Sequence, residues 1–421
     1  MTMTSVVPLR DDELDRIIET TQRMVRLHPV YGSAGQREVL DFLGERMSRL
    51  GAKVRRRKIF DEEIESHPCY TRVENFGGIF TEYRQLDREN LVCVLDFGAG
   101  GPTVLLNGHV DVEFVTAPRQ WFEPEGWRNG TRVGDRLYGR GTSDMLGAVA
   151  CFVDCAERLV REASRLRGRL IIQFVVDEEV GGNGTLASLS MLDGPVDMAL
   201  IGEPTELAVC TQSRSFEQFK ILTYGRPRHM CFGARSENAV WGLGQALEVI
   251  EATDEWCRKV CEEDRRFLCA GMVRGGTDAA VPASKAELFV TAALPPQLPF
   301  ERMIAHLECL LAERFGSSGT MAQVEPYGQR FAGSTEGHKE LAAVLSHVME
   351  ERSIAFPRAS CFPSACDARI FEAFGIGTVI CGPGSLWRAH GPDEYVEVGE
   401  LRAYAEMLTE AMVRILGGTR S

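Results

Sequence analysis

The spacing of apolar positions predicts two helices at the start of the chain. Leu14, Ile17, Ile18, Thr21 and Val25 share one helical face of residues 12–27. Val39, Phe42, Leu43, Met47 and Leu50 do the same over 36–50, with Gly51 as a natural stop. Four short apolar runs then read as strands: Leu91–Phe97, Thr103–Asn107, Leu170–Val176 and Met198–Ile201, each ending near Gly, Asp or Glu. A helical stretch at about 146–163 lies among them. This alternation predicts an α/β architecture with a mostly parallel sheet covered by helices. After about residue 213 the pattern changes. A strand at Ser215–Tyr224, a long helix at Asn238–Val260, a strand at Lys285–Ala293 and a helix at Phe300–Phe315 form a β-α-β-β-α-like unit of their own. Alternation resumes at about 330, with a helix at 336–351 and a strand near 377–381. A chain of 421 residues is long for one domain. The expected division is one domain in two pieces, 1–213 and 329–421, with a smaller one inserted at 214–328. No internal repeat or low-complexity run interrupts it.

Charge and cysteine usage narrow the function class. With 47 basic and 60 acidic residues the formal net charge is −13, which argues against nucleic acid as the main partner. No stretch is long and apolar enough to span a bilayer, and the N-terminal residues show no basic region followed by an apolar run. The 13 cysteines contain no C-x-x-C pair; the closest, Cys151/Cys155 and Cys257/Cys261, fall within helix-like stretches. Reduced, mostly buried thiols in a cytoplasmic protein are expected.

The chemistry gathers at strand ends, where open α/β sheets collect ligands. An apolar strand delivers His109 and, two residues on, Asp111 to the same side. His109 as a metal ligand with Asp111 orienting its ring fits the needs of such a histidine, although an H-x-D at a strand end is more often structural. Asp144 sits in Gly139-Arg140-Gly141-Thr142-Ser143-Asp144 ahead of a helix; a helix N-cap and a metal ligand suit it equally. The run Asp177-Glu178-Glu179 follows an apolar strand. A solvated turn is one reading. The other is that bare carboxylates brought there need a dication, with one Glu as ligand and its neighbour taking a proton from water. Glu203 also ends a strand, and His390, taken alone, reads as an ordinary surface histidine. Together, His, Asp, Glu, Glu and His with a spare Glu make a nitrogen/oxygen set suited to zinc, cobalt or manganese. No cysteine belongs to it, which excludes a structural zinc finger. A shared carboxylate would suit two ions about 3.5–4 Å apart.

These five segments, in this order, resemble the zinc aminoacylase and carboxypeptidase family that includes acetylornithine deacetylase, succinyl-diaminopimelate desuccinylase and glutamate carboxypeptidase. The patterns G-H-x-D, G-R-G-x-x-D, D-E-E-x-G-G, G-E-P-T and a late H-x-x-D-E-Y are all matched, and the likeness runs over nearly the whole chain. The stretch His67–Asn90 also resembles the longer deacetylase-like members. The resemblance implies a catalytic domain sandwiched by helices and a ferredoxin-like α+β lid through which a homodimer forms. It implies two divalent ions per subunit, zinc before cobalt or manganese. Asp144 would bridge them, with His109 and Glu203 completing one ion and Glu179 and His390 the other. Glu178 would be the general base, and Asp111 would orient His109. His229, in Gly225-Arg226-Pro227-Arg228-His229, would reach the neighbouring subunit's site. Arg369, in Ser364-Ala365-Cys366-Asp367-Ala368-Arg369, would clamp a substrate carboxylate.

Three positions depart from the pattern. Cys366 stands at a small or polar position. Ala279 and Ala292 stand where the family has a lid asparagine and a lid arginine, which implies a changed substrate unless Arg226, Arg228, Arg235 or Arg274 substitutes. Three functions are therefore weighed: a deacylase or desuccinylase acting on a small N-acyl amino-acid derivative; a dipeptidase or carboxypeptidase acting on a small peptide or γ-glutamyl-type amide; and a non-catalytic metal-binding homologue.

Overall fold

The computed structural model describes residues 8–72, 88–190, 192–232, 237–316, 320–335 and 337–418. In chain order its main elements are α1 (Asp11–Leu27), α2 (Ala34–Arg49), β1 (Lys53–Lys58), β2 (Glu89–Asp96), β3 (Thr103–His109), α3 (Gly147–Arg161), β4 (Arg169–Val175), β5 (Met198–Ile201), β6 (Phe216–Tyr224), α4 (Ala239–Cys261), β7 (Leu268–Gly275), β8 (Lys285–Ala292), α5 (Phe300–Phe315), β9 (Met321–Phe331), α6 (Lys339–Glu351), β10 (Thr378–Ile380) and α7 (Val398–Gly417).

Six strands form the central sheet in the order β1-β2-β4-β3-β5-β10. The β4–β3, β3–β5 and β5–β10 pairings are parallel, and β1–β2 and β2–β4 are antiparallel, so the sheet is mostly parallel as expected. Every residue of β3 is buried. Because successive side chains on a strand point to opposite faces, both faces of the sheet are covered at this strand. Helix α3 is almost wholly buried and packs against α1 and α7.

Residues 216–331 form a second sheet, ordered β7-β8-β6-β9 and antiparallel throughout. With α4 and α5 it has the β-α-β-β-α-β order of a ferredoxin-like unit. Its core, built from residues such as Ile221, Leu243, Leu288 and Met303, is separate from the main one.

The predicted helices and strands are present within a few residues of their expected ends. Strand β1 and helix α7 were not anticipated, and β7 and β9, which a ferredoxin-like unit implies, were given no position by the pattern. Of the stretch His67–Asn90, residues 73–87 lie outside the described residues, as does Arg235. A small antiparallel sheet of Thr131–Val133, Arg136–Tyr138 and Tyr395–Glu397 ties the loop carrying His390 to the loop carrying Asp144, through the register Tyr395↔Tyr138.

Candidate metal centre

The parallel strands β3, β4 and β5 end side by side, and each delivers its chemistry there. His109 is the last residue of β3 and is buried. Its Nδ1 lies 2.9 Å from the main-chain carbonyl of Asp111. A carbonyl only accepts, so Nδ1 carries the proton and Nε2 is the nitrogen turned to the acids. Nε2 stands 3.0 Å from Asp144 Oδ1 and 3.9 Å from Glu203 Oε1. The Asp111 carboxylate was expected to orient this ring. It is 3.8 Å from Nδ1 and instead accepts the main-chain N–H of Glu179 at 3.2 Å, so its clearest hold is on the acidic turn.

Asp144 is not a helix cap: α3 begins three residues later, with Leu146 in the cap position. Its loop is fixed by Glu394, a residue to which the sequence analysis gave no role. One Glu394 oxygen accepts the N–H groups of Gly141, Ser143 and Asp144 at 2.9, 3.1 and 3.2 Å. The other accepts from Arg140 at 2.6 Å, and Arg140 also donates to the His390 carbonyl at 2.9 Å. This buried pair sets the Asp144 and His390 loops against each other. Gly141 has φ +85°, and a Cβ there would lie 2.5 Å from Val112, so the turn beneath Asp144 requires glycine. The result is a carboxylate facing two ways. Oδ1 looks at His109, and Oδ2 lies 3.2 Å from His390 Nε2, which is also 3.1 Å from Glu179 Oε2.

The three consecutive acids divide their work. Asp177 adopts φ +70° and pairs with buried Arg88 at 2.7 Å, which also holds Asp61 at 2.8 Å. Glu178 and Glu179 line the cavity. Glu178 groups with His109 and Glu203, their ligand atoms lying within 4.8 Å of one another.

The electrostatics call for a cation. Burial raises the Glu178 and Glu203 carboxyls well above their usual range, and each is pushed further by a neighbouring acid: Glu203 for the first and Asp144 for the second. Burial also opposes charge on Asp144, but hydrogen bonds from His109 and His390 overcome it and hold its pKa low. Glu179, with lesser help from Asp144, holds His390 well above the usual histidine value against burial. Burial weighs most on His109, yet Asp144 and Glu203 outweigh it and hold that ring high as well. The oxygens Asp111 Oδ1, Glu179 Oε1 and Glu203 Oε1 are buried without a hydrogen-bond partner, an expensive state for carboxylates. The residues present therefore fit a divalent cation pair.

The cavity above these groups has a volume of about 270 Å³. Phe216, Phe331, Phe362 and Arg369 are among the residues that line it. Arg369 donates to the carbonyls of Cys69 and Gly181 at 3.2 and 2.8 Å, and its guanidinium carbon lies 4.0 Å from the Phe331 ring centroid. N–H groups remain on Arg369 for a substrate. Cys366 and Asp367 also line the cavity, Asp367 accepting from Thr185 at 2.6 Å.

His229 is exposed on the inserted unit and does not line this cavity. Arg226, Arg228 and Arg274 do not line it either; Arg228 pairs with Glu237 at 2.9 Å. Ala279 is exposed, but Ala292 is fully buried in the core of the inserted unit. At position 292 the departure therefore faces packing rather than the cavity.

Comparison with known proteins agrees with this geometry. The profile described as "Peptidase family M20/M25/M40" matches residues 105–414. An N-formyl-4-amino-5-aminomethyl-2-methylpyrimidine deformylase of Bacillus subtilis (strain 168) is 27% identical over 344 residues, 74% of this chain and 79% of that protein. An acetylornithine deacetylase of Myxococcus xanthus is 25% identical over 352 residues, 80% and 87% of the two chains. Human carnosine dipeptidase 1 has the same fold, with a TM-score of 0.71 at 14% identity over 96% of each chain. A dinuclear metal binding peptidase of the M20 family from Bacillus subtilis superposes with a TM-score of 0.62 at 15% identity, covering 97% and 99%. The chain belongs to peptidase family M20/M25/M40, a family of amide-bond hydrolases.

Proposed function

We propose that this protein is a two-metal amidohydrolase, with zinc as the native ion, that removes an acyl group from the nitrogen of a small amino-acid-derived substrate. One observation carries the reading: the two oxygens of Asp144 face two different histidines, His109 and His390, as a carboxylate shared between two ions must. A cation pair held there by His109, Asp144, Glu203, Glu179 and His390 would polarise the scissile carbonyl and make water acidic near neutral pH. Glu178 takes the proton of the attacking water and returns it to the leaving nitrogen. Burial and the like charge of Glu203 raise the Glu178 carboxyl, which suits it to accept and hold that proton. The Arg369 fork receives a substrate carboxylate, and the Phe216–Phe331 pair, with ring centroids 6.0 Å apart, receives a flat apolar portion.

Sequence relatives named for removal of formyl, acetyl and succinyl groups support deacylation over peptide cleavage. Two separate cores support a catalytic domain of 1–213 with 329–421 and a lid of 214–328. Among the described residues no helix is long and apolar enough to cross a membrane, and we take the protein to act as a cytoplasmic homodimer joined through its lids. The test is chelation followed by reconstitution. Stripped protein should lose hydrolysis of an N-acyl amino-acid panel, and Zn²⁺, Co²⁺ or Mn²⁺ should restore it at two ions per chain. Mass spectrometry of the products should show a free carboxylic acid and a free amine. Hydrolysis that survives complete metal removal would sink the proposal.

A further inference from the structure

The carboxylate of Glu113 is absent from the ligand set assigned above, yet it stands beside it. It follows Asp111 by two residues in the loop after β3, and its side chain lines the cavity. It is held in place: Oε1 accepts the N–H of Phe114 at 2.9 Å and the hydroxyl of Tyr31 at 3.3 Å. Tyr31 is itself buried, with its ring edge-on to Phe114 at 4.6 Å. One ligand atom each from Glu113, Glu179 and His390 lies within 4.8 Å of the others. A second observation points to a cation at this spot. The Glu179 side chain is only 5% exposed, and while its Oε2 faces His390, its Oε1 has no hydrogen-bond partner.

We propose that Glu113 is a ligand of the outer metal position, the one formed by Asp144, Glu179 and His390. The inference rests on the two-metal reading of the site. An acid with no such role would gain by turning to water; this one is tethered by Tyr31 beside the Glu179 carboxylate and His390, where a bound cation offsets the repulsion. The outer position then offers three carboxylates and one imidazole, whereas the inner position offers His109, Glu203 and a share of Asp144. An oxygen-rich set favours harder ions, so the outer position of this protein should take Mn²⁺ with less disadvantage against Zn²⁺ than the inner one.

Titration of the stripped full-length protein with Co²⁺ and with Mn²⁺, read by calorimetry and by metal content after desalting, tests this without relying on turnover. Wild type should take up two ions. Glu113→Gln should take up the same number at saturation, with one ion at least about tenfold weaker and the other unchanged. The visible Co²⁺ absorption should intensify as the outer ion loses a ligand. Tyr31→Phe keeps the carboxylate but removes its tether, and should weaken the same ion by a smaller factor, which guards against misfolding of the first variant. If both variants titrate like wild type, the role given to Glu113 is wrong while the two-ion site stands, even if KM rises. If wild type itself binds fewer than two ions, both readings are overturned.

Discussion

At the scale of single residues, Glu178 and Glu179 make the sharpest contrast. They are adjacent and chemically alike, but Glu179 is 3.1 Å from His390 while Glu178 groups with His109 and Glu203. Glu178→Gln should fold, bind both ions and lose turnover by on the order of 10²–10⁴-fold. Glu179→Gln should lower metal content in the same preparation. Steady-state rates beside metal analysis separate the two, and a reversal would exchange their roles. The ligand types were legible because strand ends bring side chains to one place. Their supports were not. Arg88 neutralises Asp177 from 89 residues away, and no local pattern says which of three consecutive acids will turn inward. Arg140 and Glu394 lay inside recognised motifs, and their opposite charges were the signal available. Breaking that fully buried pair with Glu394→Ala should cost about 3–5 kcal/mol and lower the denaturation midpoint, with metal affinity falling too because three N–H groups around Asp144 lose their acceptor.

At the scale of elements, periodicity revealed what is half-buried and concealed the extremes. β1, Lys53-Val54-Arg55-Arg56-Arg57-Lys58, is an edge strand with no apolar alternation, and its lysines and arginines suit an edge that must resist pairing with other chains. β7 and β9 have register shifts at Ala270/Met272 and Pro326/Arg330, which break the period of two. Helix α7 is buried over most of its circumference, and the stripe of Arg402, Glu406, Glu410 and Arg414, four residues apart, is its narrow polar face. Helix α3 has a related consequence. Asp154 is buried on it, and burial, aided by Glu13 and Glu157 against Arg158, pushes its carboxyl from 3.8 up to about 6. The folded protein thus holds a proton that the unfolded chain has lost between those values. Stability should fall as pH rises through that window, and the cost stays constant above it. Asp154→Asn should match wild type near pH 4 and exceed it by roughly 2–3 kcal/mol at pH 7, as measured by urea unfolding at both values. An offset independent of pH would show that Asp154 does not hold the proton.

At the scale of the whole molecule, the inserted unit presents an apolar surface that its own core does not use. Met230, Phe232 and Trp241 are 62%, 81% and 52% exposed, and the first two are close in sequence to His229, which is itself exposed and does not line the cavity of its own chain. Exposed large apolar side chains of this kind are common at contact surfaces. A two-fold dimer through this face would cover them on both subunits at once and could carry His229 of the partner subunit to each cavity. Mixing two inactive proteins distinguishes this from a histidine that serves its own subunit. In a mixed dimer of Glu178→Gln and His229→Ala, shared sites leave one cavity with an intact Glu178 and an intact partner histidine, and the other with neither. If His229 served its own chain, both cavities would lack one group. After equal mixing and full exchange about half the dimers are mixed, so activity should recover to about a quarter of wild type under the shared arrangement. Exchange should be followed independently, with one protein tagged. Recovery near that level supports a site completed across the interface; no recovery despite demonstrated exchange means that His229 serves its own subunit, and a His229→Ala protein that is active alone would place His229 outside the catalytic machinery.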